Sequence, residues 1–338
     1  MMGRVSKIFG LVVLSAVIVG SIAFSFPTFL ALNIQLERDE NLPAVFKEFP
    51  VTVDPRNKLI AENDQVNAFF EDARSPYQAA VGNVQSVLEG VFEWVALTVG
   101  AAPWYQSLAA ANNRLVAITP GMRKEQAANA FASALGWDSK QKREFLAARE
   151  GSPLPLPEGS FSPGIYSVTM GATPAAAQAL VNQRFTKEVL SRYGTTTAEI
   201  VPLGQALTIA SLIEREAGGS GDMRFISGII WNRLFDNMNL QIDATLQYAK
   251  ANRAAVASWW PKVVPADRFH ASPYNTYLHP GLPPTPISNP SVASILAALN
   301  PKNTSCLFYF HDAARQFHCT DTYAEHVALL KKYYGRGK

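Results

Sequence analysis

Two carboxylates, Glu214 and Glu216, stand two residues apart in PLGQALTIASLIEREAGG (202–219). A carboxyl group held against apolar packing suits general acid chemistry, because burial disfavours its charged form and raises its pKa. At about 100° per residue, Leu203, Ala206, Leu207, Ala210, Ile213 and Ala217 share one helical stripe. Glu214 falls on the edge of that stripe, and Glu216 points about 160° away from it, toward solvent or a salt bridge. A helix-face glutamate paired with Arg215 would present the same pattern, so this segment alone leaves both roles open. The next segment, FISGIIWNRLFDNMNLQIDATLQYA (225–249), places Asn232, Arg233, Gln241 and Asp243 close to a helix end and a turn. In SPYNTYLHPGLPPTPISNP (272–290), Tyr274, Asn275, Tyr277 and His279 lie among six prolines. Proline lowers the entropy a loop loses on ordering around a ligand, and tyrosine faces and amides suit sugar rings. A purely structural loop has the same composition.

These residues need elements to hold them. VAITPGMRKEQAANAFASALG (116–136) predicts a short strand, a Pro-Gly turn and a helix with Ala127, Ala128, Phe131 and Leu135 on one face. SKQKREFLAARE (139–150) predicts a second helix capped by Ser139. Pro153 to Pro163 reads as a linker. Helices are predicted over 174–193, 203–217 with Gly218-Gly219 closing it, 224–235, and through Gln247 and Tyr248 with Asp243 as N-cap. Asn289-Pro290 reads as a cap followed by proline at the first position of a helix running to Leu299. CLFYF (306–310) and RQFHC (315–319) read as a hairpin turning at Asp312-Ala313. That register sets Cys306 opposite Cys319, within reach of a disulfide that closes a loop of about 14 residues. A one-residue slip would instead point the two thiols to opposite faces.

The chain of 338 residues has 48% hydrophobic and 17% charged residues, a globular composition, and its net charge of +3 is spread too thinly for a nucleic-acid binder. No charged residue occurs from Ile8 to Leu36, longer than the roughly 20 residues that cross a bilayer. Arg4 and Lys7 precede this run, and Glu37, Asp39 and Glu40 follow it, which predicts a cytoplasmic N-terminus and an extracytoplasmic remainder. A cleaved signal peptide, with Ser21 and Ala23 before the cut, is the alternative. Val81 to Tyr105 carries Glu89 and Glu93 and reads as an amphipathic or buried helix rather than a second span.

Taken together, ASLIEREAG (210–218), WNRL…NMNLQIDATLQY (231–248), SPYNTYLHPGLPPTPISNP (272–290) and TYAEH (322–326) resemble the YceG/MltG family of endolytic murein transglycosylases. The resemblance is strong over 203–330, weaker over 116–200 and absent over 37–114. It implies an α+β fold: a cytoplasmic tail (1–7), a transmembrane anchor (8–32), a juxtamembrane helical region without assigned role (33–114), a LysM-like subdomain (115–152) and a mixed α/β catalytic domain (153–335). It further implies a bacterial enzyme of the cell membrane that cleaves the β-1,4 bond after N-acetylmuramic acid in peptidoglycan glycan strands, leaving 1,6-anhydro ends, with cell-wall synthases as partners. The family's catalytic glutamate matches Glu214. One carboxylate suffices for such chemistry, because the sugar's own 6-hydroxyl replaces the water that hydrolysis must activate. Asn232, Gln241, Asp243, Tyr274 and Asn275 are the candidates for orienting sugar groups, although Asp243 also fits a helix cap and Asn232 a structural role. Where the family reads EGfLfPDTY, this chain has EGSFSPGIY (158–166), with Gly164 and Ile165 in place of Asp-Thr.

Neither metal nor cofactor is called for. His270, His279, His311, His318 and His326, with Asp312 and Glu325 among them, gather in the last part of the chain, as ligands of a metal-dependent hydrolase can. They lack HExxH or any other tight ligand spacing. A glycan-binding scaffold of the same fold is the remaining alternative, and a glutamate at position 214 argues against it.

Overall fold

The computed structural model describes residues 47–72, 113–147, 157–251 and 258–335. The expected anchor and the helix expected over Val81 to Tyr105 lie outside these residues. Among the described residues no helix is long and apolar enough to cross a membrane.

The first described segment forms a small antiparallel pair, β1 (Val53–Asp54) and β2 (Leu59–Ile60), followed by helix α1 (Asp64–Asp72). It is not a separate juxtamembrane element. Phe49, Val53, Val66 and Phe70 are buried in the same core as the helix that carries Glu214. The Thr52 N–H donates to Leu299 O, and Asn300 Nδ2 donates to Pro50 O (2.7 Å). Arg224, almost fully buried, meets Glu62 at 3.1 Å and donates through Nε to Asn300 O at 2.8 Å.

A small lobe follows. Strand β3 (Asn113–Ile118) leads into α2 (Lys124–Leu135) and α3 (Ser139–Leu146); then β4 (Gly164–Thr169) returns antiparallel beside β3, with Val116 opposite Tyr166, and α4 (Pro174–Glu188) packs on α3. The cap of α3 is Asp138 rather than Ser139: its carboxylate accepts from Gln141 N, and the Gln141 side chain accepts from Asp138 N. The core of this lobe sits around Phe131, whose ring centroid is 4.9 Å from that of Phe145, and it draws in Phe161, Tyr166, Val168, Ala177 and Val181. The boundary expected at 152/153 therefore cuts through one hydrophobic core. A strand can bury its apolar face only against a partner, and the partner of β3 lies beyond the linker.

After a 3₁₀ turn (Leu190–Arg192) and the short α5 (Thr195–Ile200), the large lobe is built on α6 (Leu203–Glu216). Every residue from Ala206 to Ile213 is buried, so α6 is a central helix covered on all sides rather than the one-striped helix that the pattern suggests. Its polar members are satisfied locally: Thr208 Oγ1 donates to Gly204 O and Ser211 Oγ to Thr208 O, both at 2.7 Å. Around it pack α7 (Ser220–Phe235), α8 (Asp243–Ala251) and α9 (Val292–Leu299). Gly228 lets α7 approach the 302 segment closely, since a Cβ there would stand 2.4 Å from Lys302 O.

A hairpin, β5 (Phe308–His311) and β6 (Phe317–Thr320), and helix α10 (Tyr323–Tyr334) complete the lobe. TYAEH lies at the start of α10, where Thr322 and Glu325 close a reciprocal cap. The expected Cys306–Cys319 disulfide is present, but the expected register is not: Tyr309, not Cys306, faces Cys319. Asp312 Oδ1 accepts from both Ala314 N and Gln316 N, and Arg315 takes a left-handed conformation (φ 62°). The turn is thereby longer than the two-residue turn the sequence suggests. Cys306 sits before β5 and still reaches its partner, with a Cα–Cα distance of 5.8 Å.

Candidate active site

Glu214 lies in the last turn of α6, partly buried. Its Oε2 accepts three hydrogen bonds: from Ser291 N at 2.9 Å, Ser291 Oγ at 2.7 Å and Ser294 Oγ at 2.7 Å. Ser291 is the N-cap of α9, its hydroxyl oxygen accepting from Ser294 N, so the carboxylate stands at that helix's N-terminus. Asn289, expected as the cap, is used elsewhere. Among the described residues nothing donates to Glu214 Oε1. One oxygen is thus fixed by three donors while the other remains available to a substrate. Beneath the carboxylate lies Gly121 in a left-handed conformation (φ 78°); a Cβ there would meet Arg215 Nη1 at 3.1 Å and Glu214 Cγ at 3.8 Å.

The apolar burial expected of Glu214 falls more heavily on its neighbours. Glu216 does not point to solvent: its Oε2 accepts from Tyr309 OH at 2.9 Å, and the Ala244 N–H also donates to this carboxylate. Burial pushes the Glu216 carboxyl above its ordinary range, the two hydrogen bonds oppose that, and nearby Asp243 adds to it. Burial likewise pushes the Tyr309 phenol far up. A single sequence does not show that hairpin and α8 both close on the end of α6.

The remaining candidates divide into two groups. Gln241 and Asp243 are exposed on the turn that enters α8; Gln241 is held left-handed (φ 52°) with its N–H on Thr276 O, and Asp243 accepts from Tyr277 OH at 2.7 Å. Tyr274 is half-buried, its ring tilted 50° against that of Tyr248 with centroids 4.8 Å apart, and its hydroxyl meets Thr285 Oγ1 at 2.8 Å. Asn232 and Asn275 do something else. Asn232 Nδ2 donates to Thr304 O and Cys306 O at the base of the hairpin. Asn275 is 0% exposed: Nδ2 holds Arg268 O and His270 O, and Oδ1 accepts from Tyr277 N. With their amide donors spent on backbone carbonyls, these two brace the frame of the site. His311 pairs with Asp222 (2.6 Å) and His318 with Asp312 (2.9 Å). Among the described residues no group of three or more His, Cys, Asp or Glu side chains could hold a metal ion.

Several residues near the site carried no sequence signal of a role. Trp260 lies under the Arg215 guanidinium (3.9 Å to the ring centroid), and Arg123 from the small lobe lies over Tyr248 at 4.1 Å and near Trp259 at 5.6 Å. Glu158, in the EGSFSPGIY segment, is 4% exposed. Its Oε1 accepts from Lys124 N (2.8 Å) and Asn289 Nδ2 (3.2 Å), and among the described residues its Oε2 has no hydrogen-bond partner. Burial pushes its pKa to about 8; Glu125 adds to the shift, while the Lys124 N–H and the charges of Arg123 and Lys124 oppose it.

The YceG-like family model matches residues 62–332, and the chain belongs to that family. It is 37% identical over 133 residues to a Bacillus subtilis protein named endolytic murein transglycosylase, covering 39% of this chain and 35% of that one. It is 30% identical over 158 residues to a protein of the same name from Streptococcus pneumoniae D39, covering 46% of this chain and 28% of that one. The chain thus aligns with about a third of the length of these curated relatives. Among solved structures, a putative yceG-like protein from Listeria monocytogenes superposes with a TM-score of 0.53 at 27% identity, over 64% of this chain and 75% of that one.

Proposed function

We propose that this chain is an endolytic lytic transglycosylase of peptidoglycan, with Glu214 as its single acid and base. The observation that carries the reading is the Glu214 carboxyl group, with Oε2 fixed by Ser291 and Ser294 and Oε1 unengaged among the described residues. Oε1 protonates the glycosidic oxygen as the bond from the muramic anomeric carbon breaks. It then takes the proton of the same sugar's 6-hydroxyl as that oxygen bonds to the anomeric carbon, so the acid is regenerated and no water is consumed. A well-placed acid and base contributes about 10²–10⁴-fold in rate. Exposed Gln241 and Asp243, and the face of Tyr274, are suited to bind sugar hydroxyls and C–H surfaces.

The small lobe corresponds to the LysM-like subdomain of this reading, with its boundary moved to include β4 and α4. The charge-free run over 8–32 serves as a single-pass anchor that holds the catalytic domain outside the cytoplasm, where growing glycan strands and cell-wall synthases are within reach. Digestion of purified glycan strands tests the proposal: mass spectrometry of the products should find 1,6-anhydro-muramic ends inside former long strands. Reducing ends, or strands left whole, would count against it.

A further inference from the structure

We propose that Asn289 is a positioning residue for Glu214: it holds the loop bearing Ser291 to the small lobe, with Glu158 anchoring its amide, so that the small lobe sets the orientation of the catalytic carboxylate. This rests on the lytic transglycosylase reading. Asn289 belongs to the large lobe by sequence, is 0% exposed, and bonds to the small lobe through every polar atom it has. Its N–H donates to Met122 O (2.7 Å), and its carbonyl accepts from Gly121 N (2.9 Å). Nδ2 donates to Met122 O (2.9 Å) and Glu158 Oε1 (3.2 Å); Oδ1 accepts from Gly159 N (3.0 Å) and Phe161 N (2.9 Å).

On either side of Asn289 the loop is fastened to the catalytic helix. The Ile287 N–H donates to Ser211 Oγ (3.0 Å) and Ser288 Oγ to Ser211 O (3.3 Å), one turn before Glu214. Ser291 binds Glu214 itself. Only Pro290 separates Asn289 from Ser291, and its ring fixes φ, so the link is stiff. Displacing Asn289 must therefore displace Ser291. Misplacing a reacting group by about 1 Å can cost about 100-fold in rate.

The test uses the purified full-length chain and defined glycan strands, with folding checked by thermal unfolding. Asn289→Ala should lower kcat about 10–100-fold with KM changed less than about threefold. In a Ser291→Ala background the same change should cost less than it does in the parent, because the hydroxyl contact it disturbs is already gone and only the backbone N–H at 291 still reaches Glu214. Glu158→Ala should lower kcat similarly, and Glu158→Gln, which keeps the acceptor oxygen, should recover most of that loss. Additive losses, or a loss carried by KM alone, overturn the proposal. If none of these variants folds, the junction is a folding element only and the positioning role is rejected. If the unaltered chain releases no anhydro ends, the functional reading fails and this inference falls with it; if the chain is active and Asn289→Ala keeps its kcat, only the inference falls.

Discussion

Glu158 offers a sharp physical test, because its burial makes stability depend on pH in a predictable direction. In the folded chain its pKa is about 8, against an ordinary value of 4.5. Between those values the folded chain keeps a proton that the unfolded chain has released. Stability supplied by this group is complete below pH 4.5, declines as pH rises, and is lost by about pH 8. At about 1.4 kcal/mol per pH unit the decline amounts to at most about 5 kcal/mol. Glu158→Gln has no proton to lose, so this decline should disappear. The Gln carbonyl can still accept from Lys124 N and Asn289 Nδ2, but its NH₂ replaces an Oε2 that has no hydrogen-bond partner among the described residues. An unsatisfied buried donor costs about 1–3 kcal/mol at every pH. The variant should therefore be somewhat less stable than the parent near pH 5 and more stable near pH 8.5. Urea unfolding followed by tryptophan fluorescence at half-unit steps from pH 5 to 9 measures both curves. Parallel curves that never cross would refute the reasoning.

Ser294→Ala removes one of three donors to Glu214 Oε2 and should lower kcat about 10-fold or more in a glycan-strand assay while leaving KM nearly unchanged. Tyr309→Phe deprives the buried Glu216 carboxylate of its phenol donor and should lower the unfolding free energy by about 1–3 kcal/mol in urea titrations. Cys319→Ser opens a cross-link between residues 13 apart; a stability loss of about 3 kcal/mol is expected. Thiol labelling of the denatured, non-reduced parent should find no reactive cysteine.

Much of the frame was legible because it follows from local rules. The limits of α6, the start of α4, and the strand–turn–helix–helix order of the small lobe follow from periodicity and turn residues, whereas α4 ends at Glu188, short of the expected 193. The cysteine pair was found too, although the register argument that located it was displaced by the Asp312 turn and the left-handed Arg315. What stayed hidden depends on partners distant in sequence. Strand β4 follows a proline-rich stretch and acquires its meaning only beside β3. Residues 47–72 have no visible role until Arg224 reaches Glu62 across 162 positions. The periodicity of α6 ranked Glu214 as the buried carboxylate because it could not register that Tyr309 and Ala244 enclose Glu216. By sequence Asn232 and Asn275 stand beside Gln241 and Asp243 as candidates for orienting sugar groups, and Asn289 reads as a helix cap. Only the geometry separates amides that brace backbone carbonyls from side chains left open on the rim, such as Gln241 and Asp243.

The central claim is that Glu214 alone supplies both proton transfers, and product analysis of Glu214→Gln addresses it most directly. Purified glycan strands are digested with the parent and with the variant, and the 1,6-anhydro ends are counted by mass spectrometry. The account predicts abundant anhydro ends from the parent and a loss of about 10²–10⁴-fold in their rate of formation by the variant, which still folds and still binds strands. Retained activity in Glu214→Gln, or a larger loss in a folded Glu216→Gln, would contradict it.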